Sequence, residues 1–233
     1  MRANRWLIAA IATFGLAACQ APMQSIKELK RSASEASIVV MPADVELYEL
    51  DAGGMLEPEA KWTDSATKYL NIALKQEAVA RHLNLIPYDT NTVPPDERDQ
   101  FHQISRLFGV IGDEIVFHDY SAADFKLPTK PPDSVWSVGP AVHVLQSRYH
   151  ADYALLTYLR DSYASAGRIA VIAVGALLGV GIPGGVQTGY AALIDLNTGD
   201  VVWFHRIVRG SGDARDQSGA RSTAKALLED FPK

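Results

Sequence analysis

The chain has 233 residues, of which 48% are apolar and 21% charged, with a formal net charge of −5. The composition is that of a folded protein, and an acidic balance without a basic stripe argues against a nucleic-acid partner. A single cysteine leaves no pair for an internal disulfide.

The first elements concern export. Arg2 and Arg5 precede an uncharged apolar core from Trp6 to Leu16. This is the layout of a secretory signal peptide over residues 1–18, and its core is too short to stay in a bilayer as a spanning helix. It ends in Leu16-Ala17-Ala18-Cys19, which closely resembles the bacterial lipobox. The resemblance implies that the Cys19 thiol takes a diacylglyceryl group, that cleavage occurs before it, and that its new amine is acylated with a chain such as palmitate. The mature chain would begin at Cys19 with 215 residues, and loss of Arg2 and Arg5 would move the charge from −5 to −7. Several acyl chains on one residue anchor stably where one chain would not. Gln20, in place of Asp, implies sorting to the periplasmic face of the outer membrane, with the inner membrane the less favoured destination.

Residues 19–36 are small, polar and charged and read as a lipidated tether, which at full extension reaches roughly 55–60 Å. Residues 37–233 then form a single periplasmic domain. Ser37 to Met41 is a β-rich run closed by Pro42, and Val45 to Leu50 alternates as a second strand before a turn at Gly53-Gly54. From Thr63 to Asn84 the apolar residues fall at helical spacing, with Asp64 at the positive end. A brief strand, Leu85 to Tyr88, leads to a second helix opened by Pro94-Pro95 and carrying Phe101, Ile104, Leu107, Phe108 and Ile111. Gly139-Pro140 opens a short third helix to about His150.

The remainder is mainly strand. Ala151 to Leu159 is apolar on both alternating sets and reads as a central strand covered on two faces. Tyr190 to Leu196 and Val201 to Val208 flank Asn197-Thr198-Gly199-Asp200 as a hairpin. Ser211 or Asp213 caps a last helix running to Glu229. The expectation is an α/β fold, a mixed sheet of about five strands with flanking helices in two or three layers.

This order of elements, together with the lipobox and the hairpin Asp195-x-x-Thr198-Gly199-Asp200-x-x-Trp203, resembles envelope lipoproteins with a TolB N-terminal-like fold. That group includes the curli-secretion channel lipoprotein and activators of penicillin-binding proteins. The resemblance implies protein contacts in envelope assembly or secretion, by binding other envelope proteins or by self-association. The short tether departs from the long one typical of the penicillin-binding-protein activators.

Chemistry finds few footholds. Glu114 and His118 share a helix face, but a zinc site needs about three protein ligands, and the same shortage applies to His143, His150 and Asp152. No G-x-S-x-G stands between a strand and a helix, and the glycine-rich run lacks the Lys-Ser/Thr ending of a phosphate loop. No catalytic residue, metal or small-molecule cofactor is therefore expected, the acyl groups on Cys19 being the only added moiety; an enzyme acting on cell-wall or lipid material is a distant alternative. Pro128-Thr129-Lys130-Pro131 has a P-x-x-P spacing that suits either a stiff surface loop or an extended docking segment. Trp62, Trp136 and Trp203 are dispersed, as packing residues rather than a sugar-binding face.

One run is unexplained by an ordinary domain, RIAVIAVGALLGVGIPGG at 168–185. Its fifteen uncharged residues from Ile169 to Pro183 fall short of the roughly 20 of a spanning helix. Three readings follow: a buried helix or loop, an oligomer contact in which Gly175 and Gly179 form a G-x-x-x-G, or an insert that dips into a membrane as part of an export channel. Gly175, Gly179, Gly181 and Pro183 are the candidate contact residues.

Overall fold

A computed structural model describes residues 29, 32–121, 125, 127–131, 134–210 and 212–232. Cys19, Gln20 and the signal segment lie outside the described residues, as does Ser211. In chain order the elements are β1 (Ser37–Val40), β2 (Asp44–Leu50), β3 (Leu56–Pro58), α1 (Ala60–Ala80), β4 (Asn84–Ile86), α2 (Pro95–Asp119), α3 (His143–Tyr149), β5 (Tyr153–Ala164), α4 (Ala166–Leu177), β6 (Gln187–Asp195), β7 (Val201–Arg209) and α5 (Gln217–Leu227). Single 3-10 turns at Thr90–Thr92 and Pro140–Val142 precede α2 and α3.

The seven strands among the described residues form one mixed sheet around β5. One edge of β5 carries β1 and β2 end to end, both parallel to it, with Ile38 opposite Tyr153 and Leu50 opposite Ala164. Its other edge pairs antiparallel with β6, and β7 continues from β6. The three-residue strands β4 and β3 border β1 and β2. Seven strands thus share five columns, which is why an expectation of about five falls short. Pro42 breaks what would be one long strand: Met41, Pro42 and Ala43 face only two residues of β5, between the Val40–Leu155 and Asp44–Tyr158 pairs.

The pleat sends alternate side chains of β5 to opposite faces. Tyr153, Leu155 and Leu159 meet α1 and α5 in one apolar cluster, whereas Ala154 and Leu156 meet α2 and α3 in another. The result is three layers, helices on both sides of the sheet. On the second face α2 comes close to the sheet at Gly109 and Gly112, where the Tyr158 and Tyr190 rings stack at 4.7 Å. The Tyr190 hydroxyl donates to the Gly109 carbonyl at 2.6 Å.

Several boundaries move for local reasons. Helix α1 begins at Ala60, so Asp64 lies within it rather than at its start, and it ends at Ala80 because His82 takes a left-handed φ of 60°. Helix α5 is capped by Asp216, whose side chain accepts from Ser218 and Gly219 at 2.8 Å, not by Asp213. The stretch from Gly139 to His150 is a 3-10 turn followed by α3. The end of the tether belongs to the domain: Ala33 and Ala36 are fully buried, and Leu29 packs against the same cluster. Asp152 accepts from the Ser37 amide and hydroxyl at 2.9 Å, which fixes the tether's arrival beside the start of β5.

Candidate functional site

The glycine-rich run leaves the body at the far end of β5. The Ser165 side chain caps α4 by accepting from the Arg168 amide at 3.1 Å. The helix closes on Gly179, at a left-handed φ of 73°, with Gly179 donating to Ala176 at 3.1 Å and Val180 to Gly175 at 2.8 Å. This pair of bonds satisfies the last carbonyls of the helix and needs a residue without a Cβ at the turn. The chain then returns in extended form to β6. Arg168 ties the two legs at their neck, its guanidinium donating to the Pro183 carbonyl at 3.1 and 3.2 Å.

Within this hairpin the candidate glycines have separate tasks. Gly175 is the only buried residue of α4, and a Cβ there would come within 2.6 Å of Ile182 Cδ1 on the returning leg. Gly179 lies past the helix end, so the two do not form one helix-packing surface. Gly181 and Pro183 sit exposed on the returning leg.

The apolar side chains face outward. Leu177 is 87% exposed and Leu178 75%, with Ile169, Val174 and Val180 above 50%. A buried helix or loop is therefore ruled out as the account of this run. No charged side chain occurs between Arg168 and the end of the returning leg. Single exposed leucines are ordinary, but here five large apolar side chains are exposed on one short hairpin. Among the described residues no helix is long and apolar enough to cross a membrane.

At the foot of the hairpin lies a polar cleft of about 230 Å³, lined by residues that include Asp161, Tyr163, Gly185, Gln187, Gly212 and Arg215. Asp161 is 2% exposed, accepts from Gln187 Nε2 at 2.6 Å and takes the Tyr163 hydroxyl. Gln187 in turn accepts from Arg209 Nε at 3.0 Å and from the Thr223 hydroxyl at 3.1 Å, so a buried amide joins a carboxylate to a guanidinium across β5, β6, β7 and α5. Burial lifts the Asp161 carboxyl above its ordinary value, and the hydrogen bonds from Tyr163 and Gln187 draw it partly back. Burial also drives the Tyr163 hydroxyl far up, helped by its bond to Asp161. Asp213 is held low by its hydrogen bond from Arg215, which lies flat over Tyr163 at 3.8 Å and near Trp62 at 4.8 Å. Asp161, Tyr163, Gln187 and Arg215 are thus held to one another and to their neighbours at the root of the hairpin. The sequence carried a signal for this arrangement, the Arg160-Asp161-Ser162 triplet within the last half of an otherwise apolar strand.

The other candidates lie apart from the hairpin. His118 pairs with Glu114 at 3.1 Å on α2, and its ring nitrogen also meets the Phe125 carbonyl. His143 bonds the Asn197 carbonyl at 3.0 Å, while His150 ends α3 and Asp152 holds Ser37. Among the described residues no group of three or more His, Cys, Asp or Glu side chains is arranged to hold a metal ion. Pro128 to Pro131 forms a turn, with Lys130 donating to Leu127 at 3.2 Å and its ammonium 3.5 Å over the Trp136 ring. Trp62 and Trp203 belong to one cluster and Trp136 to the other.

No protein-family model and no curated relative matches the chain by sequence. Among solved structures it is similar to the PelC dodecamer from Paraburkholderia phytofirmans, at 13% identity over 85% of this chain and 89% of that one, with a TM-score of 0.35. It is also similar to the LpoB C-terminal domain from Salmonella enterica, at 12% identity over 77% and 85% of the two chains and a TM-score of 0.31. A third such structure is lipoprotein GNA1162 from Neisseria meningitidis, at 13% identity over 84% and 94% and a TM-score of 0.32.

Proposed function

We propose that this chain is a lipid-anchored protein of the bacterial cell envelope, held by acyl groups on Cys19 at the periplasmic face of the outer membrane. In this reading it has no catalytic role and works in envelope assembly or secretion by binding protein through the α4 hairpin. The observation that carries it is the exposed, uncharged hairpin at the end of the sheet opposite the tether. Ser37 is held by Asp152 beside the start of β5, and α4 begins at the other end of that strand. Twelve strand residues span about 36 Å, and the twelve-residue helix adds about 18 Å. Ten residues from Cys19 to Leu29 reach at most about 35 Å. A domain standing on its tether therefore presents the hairpin away from the anchoring membrane.

A second reading, a subunit of an oligomeric export channel, draws on the same uncharged surface, which would then line or join a ring of copies. The test is envelope fractionation of cells making the full chain or the Cys19→Ser form. The full chain is expected with the outer membrane and to carry the mass of a diacylglyceryl-modified, acylated Cys19. The serine form is expected in the soluble fraction. Membrane retention of the serine form at wild-type level would overturn the lipid anchor.

A further inference from the structure

We infer that the free edge of β7 is a docking site for an extended segment of another polypeptide, one that carries an acidic side chain between two apolar ones on a single face. This surface is separate from the α4 hairpin, and the inference does not depend on how that hairpin is read. It starts from how the two borders of the sheet are finished. One border is made of β4 and β3, three residues each, with Pro87 following the first and Pro58 ending the second. Short strands and prolines keep a border from pairing with other chains. The opposite border is β7, nine residues without glycine or proline, paired with β6 alone. Only its start is covered: Ser137 bridges Asp200, and Val201 donates to the Trp136 carbonyl at 2.8 Å. Over residues 203–209 alternate amides and carbonyls point away from β6, and no described residue bonds to them. The two faces of the strand are packed, Trp203 and Ile207 in one cluster and Phe204 in the other. What stays open is therefore backbone.

Three observations choose the occupant. A row of alternating donors and acceptors is complemented by another extended backbone. A helix has already bonded its own amides and carbonyls, and hydrocarbon offers none. A second copy is disfavoured by charge: antiparallel pairing along the whole of residues 203–209 sets Arg206 opposite its own equivalent, and like charges directly opposite destabilise a sheet. Finally, the side chains beside the edge define a complement. Arg206 lies over the Tyr120 ring at 4.7 Å and makes no ion pair with a described carboxylate. Val208, next along the same face, is 49% exposed. A carboxylate opposite Arg206, with apolar side chains two positions to either side opposite Phe204 and Val208, answers both.

The test uses the full lipidated chain in detergent and the peptide Thr-Val-Thr-Glu-Thr-Val-Thr, which places two valines and the glutamate on one face. With millimolar peptide, amide exchange within residues 203–209 is expected to slow by about fivefold or more. N-methylation of one alternate set of peptide amides is expected to remove this protection, and methylation of the other set to leave it, because only one set faces β7. Replacing the glutamate by lysine is expected to weaken binding about fivefold, and Arg206→Glu to reverse that preference. Exchange that the glutamate peptide leaves unchanged, protection that neither methylated peptide loses, or a preference that Arg206→Glu does not reverse would overturn the inference. So would a dimer whose β7 amides are protected without peptide, which would make a second copy the occupant. Leu177→Asp is expected to leave every one of these results unchanged, so a failure here is distinct from a failure of the hairpin reading.

Discussion

Asp161 shows how a single residue can be visible in the sequence while its role is not. An acidic side chain inside an otherwise apolar strand marks a break in the pattern, and Tyr163, two residues further along the same strand, is near it in sequence; but Gln187 comes opposite it only through the β5–β6 pairing. A buried carboxyl whose folded pKa is raised means that the native state holds its proton more tightly than the unfolded chain. Its contribution to stability is thus greatest below the ordinary value of about 3.9 and is lost as pH rises through the folded value, after which it stays constant. Asp161→Asn removes this dependence. Urea midpoints measured from pH 3 to 7 should show the wild type losing stability relative to Asp161→Asn as pH increases through that window. A flat or opposite difference would mean that burial does not govern this group.

At the scale of elements, legibility followed periodicity. The β6–β7 hairpin, the central strand and the amphipathic helices were readable because burial on one face or two imposes periods that the sequence carries. Strands β3 and β4 were not, or only roughly: each is three residues long, and β3 is exposed throughout, so its place comes from pairing with β2 rather than from apolar spacing. The 168–185 run was conspicuous, but its spacing pointed to a helix-packing motif where the structure has a helix end. Gly179 is there for its backbone. Gly179→Ala puts a Cβ in the left-handed region at a cost of about 1–2 kcal/mol. Since the hairpin stands off the body, that cost should appear as local opening: exchange of the Val180 amide about tenfold faster or more, with the global unfolding midpoint almost unchanged. Exchange at the wild-type rate would show that the turn does not hold the helix end.

For the molecule as a whole, the decisive contacts join distant parts of the chain. Ser37 and Asp152 are 115 positions apart, and β1 and β2 both depend on β5 for pairing. No local pattern encodes such pairing, which is why the fold class was readable while the doubling of strands within one column was not. The last residues matter as much as the first. Phe231 is 6% exposed and packs against Trp203 with ring centroids 4.8 Å apart, while Trp203 donates to the Asp230 carbonyl at 3.1 Å. Phe231→Ala should therefore cost about 3–5 kcal/mol, seen as a lower urea midpoint with cooperative unfolding retained. A change below about 1 kcal/mol would place the C-terminal residues outside the cooperative core.

The cluster that holds Phe231 also holds Leu29, Ala33 and Ala36, so one core is closed by residues about 200 positions apart. For a polypeptide threaded through a translocation pore amino end first, as the proposed signal peptide requires, this sets a timetable. Cys19 emerges well before Phe231 and the other residues that complete this core. The chain would then be tethered to the bilayer before it can finish folding, and the hairpin from 168 to 185 would clear the pore ahead of the strand pair and helix that brace its root. An uncharged hairpin that waits for its brace is exposed to aggregation until those last elements pair and pack.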